Sequence, residues 1–122
     1  MPRIARRFVI AGVLVVVGAL AVAGVTMAKS SLRVSASRTQ LAFNTKTLRA
    51  KHGKVTLTMS NPSSTIHAIA IQGHGINVKG KSVGKGKTST VSVRNLKKGT
   101  YTFYCPVDGH RAAGMKGKLI VS

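Results

Sequence analysis

Two hydrophobic patterns divide the chain. Residues 8–28 form 21 consecutive uncharged positions, mostly Val, Ala, Leu and Gly, with no alternation of polar and apolar side chains. At about 1.5 Å per residue, a helix of that length spans a hydrocarbon core of roughly 30 Å. Beyond residue 30 the pattern changes to a period of two. Val55, Leu57 and Met59 alternate with Thr56, Thr58 and Ser60, and the same spacing recurs in Val91-x-Val93 and Tyr101-x-Phe103-x-Cys105. Such alternation marks strands with one buried face. Residues 32–36, 41–43, 65–71 and 118–121 read as further short strands, separated by turn signals at Asn61-Pro62-Ser63-Ser64, Lys97-Lys98-Gly99 and Val107-Asp108-Gly109. About seven or eight strands in about 90 residues predict an all-β, antiparallel sandwich preceded by one hydrophobic N-terminal helix.

The flanks of the apolar run set its orientation. Arg3, Arg6 and Arg7 precede it and Lys29 closes it, so the basic side stays in the cytoplasm and the following residues lie outside. Its length exceeds the usual signal core, which favours a membrane anchor, while Ala21-Val22-Ala23 and Thr26-Met27-Ala28 offer small residues for cleavage of a signal peptide. Both readings divide the chain alike: residues 1–29 are anchor or signal, and 30–122 are an exported, extracytoplasmic domain, periplasmic or at the cell surface.

Composition narrows the chemistry. The 122 residues carry 20 Lys and Arg against a single acid, Asp108, for a net charge of +19. Paired-carboxylate catalysis, EF-hand loops and two-metal phosphoryl-transfer sites therefore lack their residues. The exported part keeps 16 of the basic residues and a net charge of +15, which favours anionic surroundings and partners with acidic docking faces. With no Trp, two Tyr and three Phe, the chain has few bases' worth of stacking surface, and nucleic acid is not expected as a partner. Residues 73–90 mix glycine with lysine and read as a solvated, flexible connection; the spacing from Gly80 to Gly86-Lys87-Thr88 is one residue too long for a phosphate-binding loop.

One cysteine in an exported domain cannot pair within its chain, so Cys105 calls for another explanation. It ends a strand and opens the run Cys105-Pro-Val-Asp-Gly-His110-Arg-Ala-Ala-Gly-Met115. Thiolate, imidazole and thioether are soft or borderline ligands, and with a second imidazole they are the donor set of a copper electron-transfer site. His67, sharing a face with Ile69 and Ile71, is the candidate for that second imidazole, since an imidazole on an apolar face needs a partner.

These residues resemble the cupredoxins, the small blue copper proteins. The resemblance spans residues 55–121 and rests on Cys-x4-His-x4-Met, the Gly-x-Leu-x-Val that follows, and an upstream Asn-Pro…His segment. It implies a Greek-key sandwich holding one type 1 copper ion, with His67, Cys105 and His110 as the three strong ligands and Met115 as the weak axial one. It also implies Cu(II)/Cu(I) electron transfer between redox protein partners rather than catalysis, through the His110 edge bordered by Val107, Ala112 and Ala113 or through Tyr104. One position departs from the family: Ala68 stands where an asparagine usually follows the first histidine. Fewer hydrogen bonds around the ligands are expected there, and with them a high redox potential.

Other readings use the same residues. A copper storage or delivery protein needs the same ligands but exchanges its metal quickly. A basic envelope-binding or polyanion-binding module needs only the charge. Four histidines in one short domain do not supply the additional copper centres of an oxidase. His52 reads as a turn residue, and His74, between two glycines, as a loop residue or a group assisting copper loading. The exported domain is expected to be a monomer.

Overall fold

The computed structural model describes residues 28–122; the predicted N-terminal helix lies outside them. Eight strands run in chain order: β1 (Lys29–Ser35), β2 (Thr47–Ala50), β3 (Gly53–Ser60), β4 (Ala70–Gly73), β5 (Ile76–Lys79), β6 (Thr88–Leu96), β7 (Gly99–Tyr104) and β8 (Lys116–Val121). Among the described residues there is no α-helix. The strands form a three-stranded sheet in the order β1-β3-β6 and a five-stranded sheet in the order β2-β8-β7-β4-β5.

Alternation governs which side chains meet between the sheets. In β3, Val55, Leu57 and Met59 are fully buried, while Thr56 and Thr58 on the opposite face bond across to Ser92 and Thr90 of β6. In β7, Tyr101 and Phe103 turn inward, and Leu119 and Val121 of β8 join them. Burying such faces against one another is the main favourable term in folding a domain of this size.

The expectation of a wholly antiparallel sandwich needs correction. β1 pairs in parallel with β3, and β2 in parallel with β8. A hairpin makes two consecutive strands antiparallel only if both stay in one sheet, and here the chain changes sheet between β1 and β2 and again between β2 and β3. Residues 41–43 form no strand and contribute a single bridge, Phe43 to Ala36. Residues 65–71 are mostly irregular, with β4 starting only at Ala70.

Residues 73–90 are not a flexible connection. They contain β5, the start of β6, and a bridge from Val83 to His67. The β4–β5 hairpin turns on His74 and Gly75, both with positive φ (49° and 81°), as a two-residue hairpin requires. The His74 ring stacks on Tyr101 at 4.7 Å and covers Gly99, at the start of β7. Cys105 follows the other end of that strand, so His74 is a packing residue remote from the ligand cluster. His52 sits at an edge, its Nδ1 3.0 Å from the Ser122 carbonyl oxygen.

Candidate metal centre

Cys105 is the first residue beyond β7, and the ten residues after it return to β8 as a closed loop. The loop is fixed by its own backbone: His110 N–H donates to Val107 O (3.0 Å), Met115 N–H to His110 O (3.0 Å), and Cys105 N–H to Met115 O (3.0 Å). Gly109 and Gly114 adopt positive φ, 78° and 110°, where these turns reverse the chain. Nested turns thus bring the Cys-x4-His-x4-Met spacing back on itself.

His67 arrives from the other side of the pocket. Its backbone exchanges two hydrogen bonds with Val83, His67 N–H to Val83 O (3.2 Å) and Val83 N–H to His67 O (2.8 Å). Asn61 braces that bridge from within the core. Its amide donates to Thr65 O (2.8 Å) and Val83 O (2.9 Å), and its Oδ1 accepts from the Ser63 N–H and hydroxyl. An unpartnered buried amide would be costly, and this one is fully used. Replacing it by alanine removes all four of these bonds; Val83 O keeps the His67 N–H and Thr65 O keeps the Ser63 hydroxyl, but the Ser63 N–H loses its acceptor. Asn61→Ala is expected to destabilise the protein by about 1–3 kcal/mol and to weaken metal binding roughly 10–100-fold; urea unfolding and copper titration by competition measure the two effects.

Three donor atoms converge. His67 Nδ1 and His110 Nδ1 lie 3.1 Å apart, and Cys105 Sγ is 3.9 Å from the first and 3.5 Å from the second. A metal bonded at about 2.0 Å to nitrogen and about 2.3 Å to sulfur, in trigonal arrangement, needs edges of about 3.5–3.7 Å, close to the triangle present. Met115 is fully buried and packs in the same cluster as Cys105. Cys105 and His67 are buried, whereas His110 is partly exposed. The arrangement leaves one ligand edge toward solvent.

The thiol sulfur accepts the Ala68 N–H at 3.4 Å. The missing asparagine side chain therefore does not leave the sulfur without a backbone donor. Burial, followed by the neighbouring His110 ring, lowers the pKa of His67 below the ordinary 6.5 and keeps its imidazole neutral for ligation. The metal-free protein should accordingly lose stability on acidification. Below pH 6.5 the unfolded chain takes up a proton at this site that the fold resists, so the loss starts near 6.5 and grows until the folded form also protonates. Thermal unfolding of the apo-protein at pH 7.5 and at pH 5 checks this, with His67→Gln flattening the difference.

The structure thus brings His67, Cys105 and His110 together, with Met115 buried beside them, and places His52 and His74 elsewhere. Sequence reasoning did not single out Val83, whose part is played by its backbone, nor Arg111. The Arg111 guanidinium lies over the Tyr104 ring at 4.2 Å and donates to Gln72 Oε1, while Tyr104 donates its hydroxyl to Asn77 Oδ1. These links tie the ligand loop to β4, β5 and β7. Asn61 was visible as a turn residue and in the Asn-Pro…His segment, but its bracing of the His67–Val83 bridge is seen only in the structure.

Comparison with known proteins agrees with this geometry. The sequence matches the family model of the cupredoxin-like domain over residues 10–121. No curated protein matches it in sequence. Among solved structures, the auracyanin of the photosynthetic bacterium Roseiflexus castenholzii is similar, with 23% identity and a TM-score of 0.66 over 76% of this chain and 97% of that one. Auracyanin A, a "blue" copper protein of Chloroflexus aurantiacus, shares 20% identity and a TM-score of 0.67 over 78% of this chain and 100% of its own. The blue copper oxidase of Nitrosomonas europaea matches with 21% identity and a TM-score of 0.62 over 78% of this chain but 39% of its own length. The His67, Cys105, His110 and Met115 donor set matches a type 1 copper site.

Proposed function

The chain belongs to the cupredoxin-like family, and from that premise we propose that it is an exported blue copper electron carrier held at the outer face of the cytoplasmic membrane or released from it. The observation that carries this reading is the convergence of two imidazole Nδ1 atoms and one thiol sulfur, two of the three residues buried and His110 alone reaching the surface. Copper bound there supplies a one-electron Cu(II)/Cu(I) couple.

The residues of the chain account for the rest. Cys105 offers a thiolate whose charge is shared with the Ala68 N–H. His67 and the fully buried Met115 exclude water from the inner side. The nested loop bonds and the Asn61 brace hold the donors still, so little rearrangement accompanies a change of oxidation state. His110 leads to the surface beside Val107, Ala112 and Ala113, an edge suited to brief contact with a redox partner. A carrier is favoured over an oxidase because the described residues hold one compact donor set, and the sole acid of the chain is the exposed Asp108.

The test is a reversible redox titration of the copper-loaded protein followed by electron exchange with an acidic redox protein. A blue form that bleaches and recovers, and exchange that slows as salt rises, support the proposal; a metal that leaves on each reduction instead marks a delivery protein. The alanine after His67 should also be measurable. Ala68→Asn is expected to lower the potential by adding a polar side chain beside the thiolate, and a titration of the two proteins side by side reads the difference.

A further inference from the structure

The outer face of the five-stranded sheet carries polar and cationic side chains that are not among the ligand residues. Strand register places Thr47, Lys118, Thr102, Gln72 and Asn77 in one row across all five strands. The next row carries Lys116, Tyr104, Ala70 and Lys79. With neighbouring strands about 4.8 Å apart, each row is roughly 15–19 Å long. Over β2, β8 and β7 the surface dips into a cavity of about 500 Å³ lined by Lys46, Thr47, Thr102, Arg111, Lys116 and Lys118. Lys46, Lys116 and Lys118 are exposed. One of the cations is already positioned, because Arg111 rests on Tyr104 and gives a hydrogen bond to Gln72. A guanidinium has five donors, so others remain for a ligand.

Four cations around one cavity repel each other unless something anionic joins them, and the single acid of the chain, Asp108, can neutralise one at most. The chemistry of the lining selects the partner. The five-strand row contains no aromatic or large aliphatic side chain, and the adjoining Tyr104 is covered by Arg111. Protein interfaces depend on buried apolar anchors, which this row lacks. Lysine, arginine and hydroxyl groups along an extended, grooved surface are instead the contacts that hold a phosphate backbone.

We propose that this face binds a linear phosphate polymer, its successive phosphates meeting Lys46, Arg111, Lys116 and Lys118, and so retains the protein on an anionic matrix. The binding uses none of the four ligand residues and needs no copper. The cavity borders the ligand loop, since Arg111 and Lys116 line it and follow His110 and Met115 directly in sequence.

The experiment uses the full chain and fluorescently labelled linear inorganic polyphosphate across a salt series. K46Q/K116Q/K118Q is compared with R33Q/K54Q/R94Q, which removes equal charge from exposed positions on the other sheet. The first triple is expected to bind about tenfold more weakly and to lower the slope of log K against log salt by about 2, the second to change affinity less than about threefold. Equal loss in both triples, or none in either, overturns the proposal, as does absence of binding by the unaltered chain. Tighter binding to polyglutamate, or to vesicles of phosphatidylglycerol and phosphatidylcholine in equal parts, overturns it too, in favour of an acidic protein or a membrane surface. K118Q alone, expected to weaken binding about two- to threefold, serves if the triple does not fold.

Discussion

Cys105→Ser is expected to abolish the intense visible absorption of the copper-loaded protein while leaving the fold in place. The sulfur is the only thiolate of the chain, and it sits 3.5 and 3.9 Å from the two imidazoles. A serine hydroxyl remains protonated at neutral pH and is a hard, poor ligand for copper. The two Nδ1 atoms still offer a weak Cu(II) site, so the variant should bind some metal, pale and readily removed by a chelator. Folding should survive because serine is close to cysteine in size and its oxygen can take over the Ala68 N–H; burying a hydroxyl at a fully buried position costs about 1 kcal/mol. The visible spectrum reads the ligand, and the far-ultraviolet circular dichroism of the same sample reads the fold. A blue band that survived in a folded Cys105→Ser protein would remove the thiolate from the centre and the proposed function with it.

Phe103→Ala should have the largest effect on stability. Phe103 is fully buried in β7, stacks on Phe43 with centroids 5.4 Å apart, and covers Gly117, its register partner on β8. Truncating such a ring costs about 3–5 kcal/mol, a large share of the roughly 5–15 kcal/mol that holds a domain of this size together. The melting temperature should fall by on the order of 20 °C. The ligand Cys105 lies two residues further along, directly beyond the end of that strand, so copper affinity should fall with it. Gly117→Ala attacks the contact from the other side. A Cβ there would collide with the Phe103 ring and lie 2.7 Å from the Lys46 carbonyl oxygen, so a backbone must move as well as a ring. Overpacking of that kind costs about 1–3 kcal/mol. Urea unfolding of the two variants and the double variant measures the coupling: if ring and glycine act as one contact, the double variant loses less than the sum of the single losses.

The two positions also show why some of the chain was legible and some was not. Phe103 belongs to a run whose alternation marks its inward face, so its burial follows from the pattern. Gly117 looks like any other glycine until the register of β7 and β8 sets it opposite that ring. The same holds for β2 and β5. Four-residue strands such as Thr-Leu-Arg-Ala and Ile-Asn-Val-Lys are too short for alternation to rise above chance, and both exist because a neighbouring strand supplies hydrogen bonds to their edges. The lysine- and glycine-rich segment was misread for that reason. Its composition describes a solvated loop, yet its backbone at Val83 clamps the irregular segment that carries His67.

Local chemistry along the chain was enough to indicate an all-β fold and a set of candidate ligand residues suited to copper, because alternation, turn residues and ligand softness are properties of short stretches. Cys105, His110 and Met115 are within eleven residues of each other, and a spacing so short is itself a geometric constraint. Tertiary structure decided what depends on segments far apart in sequence: the parallel pairing of β1 with β3 and β2 with β8, the meeting of His67 with a loop 38 residues downstream, the Asn61 brace, and the gathering of Lys46, Arg111, Lys116 and Lys118 around one cavity. Those arrangements arise from how two sheets pack and register against each other. The physical reason is that packing and pairing free energies belong to pairs of segments, so no single stretch of sequence contains them.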